Sequence, residues 1–497
     1  MKEKANYWLA FIFLAALTVR LVLAFSTPAF TYDSYFNLRQ VDYISNNGFP
    51  QFHDELSYSG RDLRFLPLFH YFTALFDLIT PDQFIPPEII AKIIPNLLIA
   101  SLVIIVYHIS DKMTGSKTAS LFSAGIAAFL PTLYETNSFT VEALFIPLIF
   151  LITFCFINLK EKNFVYYYII AFLAACLTSS ATFLIIVGFG IYLLLSAIEG
   201  KKLQKAEVEI ILFSLFFYVW TQFLFFKEVL ASEGMSFIWQ NIPQQIMRWY
   251  FPQPSLLDTM LSVSIIPFLA GIYVVGRSLF KLKNTKEFLY ISLVISTTIL
   301  TWLRLVQFKL SITFFSIILA IFFASFYKEM VDFFKRTRIK SWKIGLPAIT
   351  IILLAATMIF PALTTAKEQS MPSMDAIQAF RWFGETIPQK TTTLVQFEEG
   401  NALSYYAGKR NVMDDHFSLQ KDAEQRILDI STMYITTFQT EALGLFDKYR
   451  VGYIILTPKA KSRFSVDNFH YITQECFEPI YNQEVKIYRV RCTLKEA

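Results

Sequence analysis

The sequence is poor in charged residues and in several residue types that mark other classes of protein. Charged side chains make up 17% of the 497 residues, whereas hydrophobic residues reach 55% and the mean hydropathy is +0.45. Four cysteines exclude a disulfide-rich scaffold, and five scattered histidines show no zinc-ligand spacing. The chain also lacks internal repeats, a glycine-rich phosphate loop and any Asn-x-Ser/Thr triplet. This composition excludes an ordinary soluble domain and predicts a polytopic membrane protein.

Long apolar runs dominate the first three quarters of the chain. A helix needs about 20 predominantly apolar residues to cross a bilayer, and that length predicts about eleven spans. The predicted spans lie near 7–27, 88–110, 118–134, 143–158, 164–178, 181–198, 209–227, 256–280, 287–303, 308–327 and 344–361. The first run is predicted to remain as a signal anchor, since no cleavage pattern follows it.

The basic residues indicate how these spans are oriented. The short loops "DKMTGSK", "LKEKN", "EGKKLQK", "KLKNTK" and "KEMVDFFKRTRIKSWK" fall on one side if the spans alternate, and the positive-inside rule makes that side cytoplasmic. The formal net charge of +5 has the same explanation, so it says little about partners. No nucleic-acid partner is predicted.

Some segments are not predicted to span. Residues 28–87 form a long first outer loop with two interfacial or re-entrant helices, and residues 228–255 form a flexible outer loop. After Pro361 the apolar runs shorten: "TTTLVQF", "VGYIILT" and "EVKIYRVRC" are typical of strands, and "MDAIQAFRWFGET" of a helix. We therefore predict a transmembrane domain over 1–361 and an outer α/β domain over 362–497.

Two cysteines of the outer domain flank a possible hairpin. Cys476 and Cys492 bracket a segment that could turn near 481–483, which would bring the two thiols together. An outer compartment permits oxidation, so a disulfide and two free thiols are the alternatives.

Three acids are predicted at the outer membrane surface, each in a separate outer loop: Asp33, Glu142 and Glu233. Carboxylates near a low-dielectric boundary repel one another unless a cation collects them, and Mg²⁺ and Mn²⁺ prefer oxygen ligands. The acids therefore indicate either a divalent metal site or solvated loop residues. The positions of the three acids in the chain do not decide between these two alternatives.

Four segments resemble the catalytic subunit of oligosaccharyltransferases, in the single-subunit form found in archaea and bacteria. They are "YDSYFNLRQVDYISNNGFPQFHDELSYSGR", "PTLYETNSFTVEALF", "VLASEGMSF" and the region that starts with "MPSMDAIQAFRWFGET", in family order. The resemblance implies a GT-C glycosyltransferase fold, a polytopic helical membrane protein of about 11 to 13 spans with a C-terminal extracytoplasmic α/β domain.

The resemblance also assigns the acidic residues. Asp33, Glu142 and Glu233 fall on family positions that hold a divalent cation, Mn²⁺ or Mg²⁺, and Asp33 and Glu233 are the catalytic candidates. Transfer from a polyprenyl carrier leaves negative charge on phosphate oxygens, which a cation and basic side chains stabilise.

Four basic residues are candidates for binding the lipid phosphate. In "WLRLVQFKL", Arg304 and Lys309 lie in the turn that matches a family arginine, and Lys309 is favoured. Arg39 and Arg61, in the first outer loop, either bind phosphate or form internal ion pairs. The nearby acids in the sequence are Asp33, Asp54, Glu55 and Asp62.

The chain departs from the family pattern at two places. Thr140 replaces one acid of an acid-x-acid pair that ends at Glu142. The Trp-Trp-Asp-Tyr-Gly signature, which holds the acceptor hydroxyl, is replaced by Gln-Phe-Glu-Glu-Gly, so the acceptor-binding candidates are Glu398, Glu399 and Gly400.

These observations predict an oligosaccharyltransferase-like glycosyltransferase that moves a sugar or oligosaccharide from a polyprenyl (dolichyl-type) phosphate carrier to protein asparagine. One alternative keeps the fold but moves a single sugar from a polyprenyl monophosphate to a lipid, a polysaccharide or a hydroxyl side chain. A second is a non-catalytic membrane paralog or scaffold. We expect a monomeric catalytic unit in the plasma membrane of an archaeon or bacterium, with its site and C-terminal domain extracytoplasmic.

Overall fold

The computed structural model describes residues 2–79, 86–234, 239, 242–282, 287–336 and 342–494. Parts of the predicted outer loops 28–87 and 228–255, and of the basic loops near 281–286 and 335–343, lie outside these residues. The α-helices that these described residues form before residue 370 are α1 Lys2–Ala24, α2 Ser34–Asn47, α3 Leu68–Ile79, α4 Pro87–Thr114, α5 Lys117–Ala128, α6 Glu142–Ile157, α7 Lys162–Thr178, α8 Phe183–Ile198, α9 Lys205–Glu233, α10 Met247–Tyr250, α11 Leu256–Val263, α12 Ile265–Arg277, α13 Phe288–Trp302, α14 Phe308–Lys335, α15 Trp342–Leu354 and α16 Phe360–Lys367.

Six helical runs in the described residues are long and apolar enough to cross a membrane. They are Lys4–Ala24, Pro87–Thr114, Ser180–Ile198, Lys205–Glu233, Phe308–Lys335 and Trp342–Lys367. The predicted span 256–280 is instead broken into α11 and α12, which meet at 102°, and Ser264 at the break has a φ of 77°. The helical membrane architecture is confirmed, and the number of spans stays a prediction.

Helix α14 lies at the centre of the helical layer. Its most apolar window is 89% buried, and it packs against α4, α5, α12 and α13. Gly271 of α12 lies so close to Leu319 of α14 that an added Cβ would clash with that side chain. Helices such as α1 and α9 bury 17% and 22% of their windows, which leaves most of their apolar surface for lipid.

The first outer loop folds into two helices and a small hairpin. Helix α2 packs against α3, and β1 (His53–Asp54) pairs antiparallel with β2 (Arg61–Asp62). Most side chains of α2 are buried although many are polar. The loop is therefore part of the packed structure.

The region predicted to be the outer domain, residues 362–497 and called the outer domain below, contains a five-stranded sheet with the order β4-β3-β5-β7-β6. Its strands are β3 Thr392–Leu394, β4 Arg410–Asn411, β5 Val451–Leu456, β6 Phe477–Asn482 and β7 Lys486–Val490. Strand β3 is parallel to β4 and β5, and β7 is antiparallel to β5 and β6. The domain also contains helices α17 Met374–Thr386, α18 Gly400–Ala407, α19 Ala423–Ile435, α20 Gln439–Tyr449 and α21 Pro458–Phe464. Cys476 and Cys492 form a disulfide across the β6–β7 hairpin.

Candidate active site

A cleft of about 460 Å³ lies where the helical layer meets the outer domain. Its walls come from the first outer loop, the loop before α6, the start of α14 and the outer domain. The charged residues in its lining are Asp33, Glu135, Lys309, Glu368, Glu398 and Asp415. Acids and one base from four distant segments thus share one cavity.

Asp33 and Lys309 both line this cleft. Asp33 is exposed immediately before α2, where the chain turns out of α1. The Lys309 ammonium lies 2.5 Å from a Glu135 carboxylate oxygen, and the charges of Asp33 and Glu142 also act on it. The first turn of α14 therefore places a cation among acids from two outer loops.

Glu233 has a different environment from the other two predicted metal ligands. It is the last residue of α9, and its carboxylate accepts a hydrogen bond from the backbone N–H of Leu419 in the outer domain. Asp33 lines the cleft, whereas Glu142 and Glu233 do not. Among the described residues, Asp33, Glu142 and Glu233 do not form a compact group of metal-ligand atoms.

A compact group does occur in the outer domain, at Asp414, Asp415 and His416, whose candidate ligand atoms lie within 4.8 Å of one another. Asp414 is fully buried and bonded to Ser57 at 2.5 Å and Arg61 at 3.0 Å. Burial opposes its charge, but Arg61 and these hydrogen bonds outweigh burial and lower the pKa of Asp414. Asp414 therefore forms structural contacts inside the protein.

Asp415 faces the cleft. One of its oxygens accepts hydrogen bonds from Asn401 at 2.8 Å and lies 3.2 Å from Nδ1 of His416. Burial raises the pKa of Asp415, and the negative charge of Asp33 raises it further. The two carboxylates are thus electrostatic neighbours, although they lie far apart in the sequence.

The structure places both candidate arginines of the first outer loop in internal ion pairs. Arg39 donates to Asp54 at 2.6 Å and to Asn401 at 3.2 Å, and Arg61 donates to Asp414. Both guanidinium groups are buried. This is the second of the two alternatives from the sequence, although the partner of Arg61 is an acid of the outer domain rather than of its own loop.

Of the two basic candidates near α14, Lys309 lines the cleft and contacts Glu135. Arg304 lies in the preceding turn with a left-handed backbone, φ 57°, and an exposed side chain. The geometry therefore favours Lys309 for a phosphate contact in the cleft.

The three acceptor-binding candidates differ in exposure. Glu398 lines the cleft and forms ion pairs with Lys459 and, at 3.3 Å, with Arg463. Glu399 is 1% exposed and accepts a hydrogen bond from Thr457 at 2.6 Å. An added Cβ at Gly400 would lie 2.5 Å from the carbonyl oxygen of Met413, so the chain needs glycine there for packing.

Sequence reasoning missed several residues that the structure brings to the cleft, among them Glu135, Asp415 and Trp249. Glu135 stands in the same loop as the chosen Glu142 and was open to the same argument. Asp415 could have been noticed as part of an Asp-Asp-His run. Nothing in the local sequence distinguishes Trp249 from other aromatic residues of its loop.

By its chemistry the donor set of the cleft suits a hard divalent cation, although the compact group of ligand atoms found among the described residues is the one at Asp414, Asp415 and His416. Asp33, Glu135 and Asp415 offer carboxylate oxygens, the ligands that Mg²⁺ and Mn²⁺ prefer. His416 adds an imidazole nitrogen beside Asp415, which suits Mn²⁺ or Zn²⁺ better than Mg²⁺.

Comparison with known proteins identifies the fold. Residues 67–224 match the family described as dolichyl-phosphate-mannose-protein mannosyltransferase. No curated protein sequence matches the chain.

Three solved structures illustrate the likeness. The oligosaccharyltransferase of Archaeoglobus fulgidus, tethered to an acceptor peptide with an NVT sequon, superposes with a TM-score of 0.68 at 12% identity, covering 91% of this chain and 69% of that one. The same enzyme with Zn and sulfate gives 0.62 at 14% identity, covering 89% and 67%. ArnT from Cupriavidus metallidurans, bound to undecaprenyl phosphate, gives 0.60 at 10% identity, covering 97% and 98%. The chain therefore has the GT-C fold of membrane-embedded glycosyltransferases, as its resemblance to oligosaccharyltransferases implied.

Proposed function

We propose that this protein is a glycosyltransferase that moves a sugar or oligosaccharide from a polyprenyl phosphate carrier to an acceptor at the outer membrane surface. The observation that carries the proposal is the cleft in which Asp33, Glu135 and Lys309 meet at the start of α14. The matched family uses dolichyl-phosphate-linked mannose by its description, and the Cupriavidus enzyme binds undecaprenyl phosphate. Both support a polyprenyl-linked donor.

The proposed chemistry is a direct displacement. The acceptor attacks the anomeric carbon, the bond from that carbon to the phosphate oxygen breaks, and the phosphate leaves with the electron pair. Lys309 stabilises the developing negative charge on the carrier phosphate, and Asp33 holds the attacking N–H or O–H group and accepts the proton that it loses. A displacement of this kind inverts the anomeric carbon.

A divalent cation fits the acidic half of the cleft. Asp33, with Glu135 and Asp415, and Glu142 close to Lys309, are the residues that would hold it. Bound there, it would supply Lewis-acid stabilisation of the leaving phosphate. In the structure Glu233, the third ligand implied by the family resemblance, instead accepts a hydrogen bond from Leu419.

Two acceptor classes remain candidates. Protein asparagine is supported by the resemblance in sequence and by the acceptor peptide of the Archaeoglobus enzyme. A hydroxyl or lipid acceptor is supported by one specific observation: Glu398, proposed to accept a hydrogen bond from a sequon hydroxyl, is already paired with Lys459 and Arg463.

The test is a product assay with purified protein. Polyprenyl-linked mono- and oligosaccharides are offered together with Asn-x-Thr peptides, serine-rich peptides and membrane lipids, and products are identified by mass spectrometry. We expect transfer to one acceptor class, lowered more than roughly 100-fold by Asp33→Asn, and unchanged by Asp42→Asn, which changes an exposed acid of α2, the helix that follows Asp33. Absence of transfer from every donor to every acceptor would contradict the proposal.

Metal dependence is tested separately in the same assay. We expect EDTA to stop transfer and added Mn²⁺ or Mg²⁺ to restore it, because the leaving phosphate needs the cation. Full activity in EDTA would show that transfer needs no divalent cation, and it would leave the transferase proposal intact.

A further inference from the structure

Trp249 is a large aromatic residue in the cleft that the proposed chemistry does not use. It belongs to the short helix α10 and lines the cleft together with Asp33. Its side chain is 51% exposed. Most exposed aromatic residues of this protein lie on its lipid-facing helices, so an open tryptophan in a polar cavity calls for another explanation.

The indole ring is held firmly on one side. The guanidinium carbon of Arg463 lies 3.9 Å from its ring centroid and 5.0 Å from that of Phe397. The Trp249 and Phe397 rings are nearly parallel, at 13°, with centroids 6.2 Å apart. Arg463 and Phe397 therefore cover one part of the indole surface, and the exposed remainder is left to the cleft.

Arg463 is itself held by a series of contacts between charged side chains that ends at the first outer loop. Glu398 pairs with Arg463 at 3.3 Å and also with Lys459. The Lys459 ammonium lies 3.9 Å from the ring centroid of Tyr32, the neighbour of Asp33. These contacts therefore link the position of the Trp249 indole to that of Asp33, the candidate catalytic acid.

The surroundings of the open indole surface indicate the kind of ligand. Carboxylates of Asp33, Glu135 and Asp415 line the same cavity. A flat apolar surface next to hydrogen-bond acceptors suits a sugar ring, which offers C–H groups on its face and hydroxyl donors at its edge. A prenyl chain has no hydrogen-bond donors for these acids.

We propose that Trp249 is the platform on which the transferred sugar of the donor stacks, with Arg463 and Glu398 as the residues that position it. This inference rests on the proposed function, and it names the part of the donor that the cleft recognises. The volume of about 460 Å³ lies within the range of small-ligand sites, about 300–1,000 Å³.

The experiment compares carriers with and without a sugar. Binding of bare undecaprenyl phosphate and of its mannosyl, glucosyl and N-acetylglucosaminyl derivatives to detergent-purified protein is measured by calorimetry. We expect at least one sugar-bearing carrier to bind more tightly than the bare carrier. Trp249→Leu should weaken the binding of that carrier roughly three- to tenfold, the range of one aromatic contact. It should leave the binding of the bare carrier unchanged. Trp249→Phe should keep most of the difference.

Each outcome has a defined meaning. If wild-type protein binds neither the bare carrier nor any sugar-bearing carrier, the proposed function fails and the platform fails with it. If the bare carrier binds but no sugar improves binding, or if Trp249→Leu weakens both carriers equally, only the platform is overturned. Should Trp249→Leu not yield folded protein, Arg463→Met is the second variant, because it frees the ring without removing it. It should reduce the preference for the sugar-bearing carrier, and an unchanged preference would also overturn the platform.

Discussion

Glu399 is a buried acid of the outer domain whose carboxylate contacts both that domain and the first outer loop. Its carboxylate is 1% exposed and accepts hydrogen bonds from Thr457 at 2.6 Å and Tyr32 at 3.4 Å. Burial penalises the charged form more than these hydrogen bonds stabilise it, which raises the pKa of Glu399 from 4.5 to about 7. The native protein therefore holds this proton at pH values where an unfolded chain has lost it.

This pKa predicts how stability depends on pH. Between about pH 4.5 and 7 the native state binds more protons at Glu399 than the unfolded state does, so the free energy of unfolding falls as the pH rises through that window. Glu399→Gln should remove this contribution, which amounts to at most about 3 kcal/mol. The measurement is the melting temperature in detergent at pH 5 and pH 8.

The control for this prediction is Glu424→Gln, which changes an exposed glutamate of α19. It should lose stability between pH 5 and pH 8 as the wild type does. A Glu399→Gln variant with the same loss as its control would show that Glu399 does not cause it.

At the residue scale, sequence reasoning found candidates but not their partners. The resemblance selected Asp33, which does line the cleft. It could not show that Arg61 pairs with Asp414, because the two are 353 residues apart. It could not show that Asp415 faces Asp33 either, because that proximity depends on how the outer domain sits on the first outer loop. A sequence does not distinguish an acid or base that will form an internal ion pair from one that will line a cleft, because the fold determines its partners.

The β6–β7 hairpin shows at the element scale how a disulfide joins two strand ends. Cys476 precedes β6, Cys492 follows β7, and the bond closes a sequence separation of 16 residues. A loop of this size stabilises the folded domain by about 3 kcal/mol. We expect Cys492→Ser to lower the melting temperature of the outer domain.

Alkylation with mass spectrometry checks the bond directly. In denatured protein without reductant, only Cys155 and Cys176 should be labelled, because they are the free thiols. After reduction, all four cysteines should react. Labelling of Cys476 and Cys492 before reduction would contradict the bond.

Elements were predictable where local pattern alone determines them. The helix predicted from "MDAIQAFRWFGET" has the bounds of α17, and the strand predicted from "VGYIILT" is β5 with its last residue removed. Hydropathy could not reveal the 102° bend between α11 and α12, because both halves remain apolar. The two-residue strand β4 was missed, since so short a strand depends on its neighbour β3.

At the scale of the whole molecule, the cleft exists because hydrogen bonds hold the first outer loop against the outer domain. The Asn411 backbone N–H donates to Leu56 at 2.8 Å, and Tyr58 donates through its backbone N–H to Asn411 and through its hydroxyl to Asp414, both at 3.0 Å. These bonds join segments from opposite ends of the chain. Such a closed arrangement requires the first outer loop and the outer domain to lie on the same side of the membrane.

That requirement, together with the positive-inside rule, gives a topology that can be tested in cells. Asp467→Cys in the outer domain and Lys202→Cys in the basic loop between α8 and α9 both replace exposed residues. The native cysteines give little background, because Cys155 and Cys176 are buried and the other two are bonded. We expect a membrane-impermeant maleimide to label Asp467→Cys in intact cells, and Lys202→Cys only after permeabilisation, because Lys-rich loops are retained in the cytoplasm. Labelling of Lys202→Cys but not of Asp467→Cys in intact cells would invert the orientation and place the proposed transferase site on the cytoplasmic side.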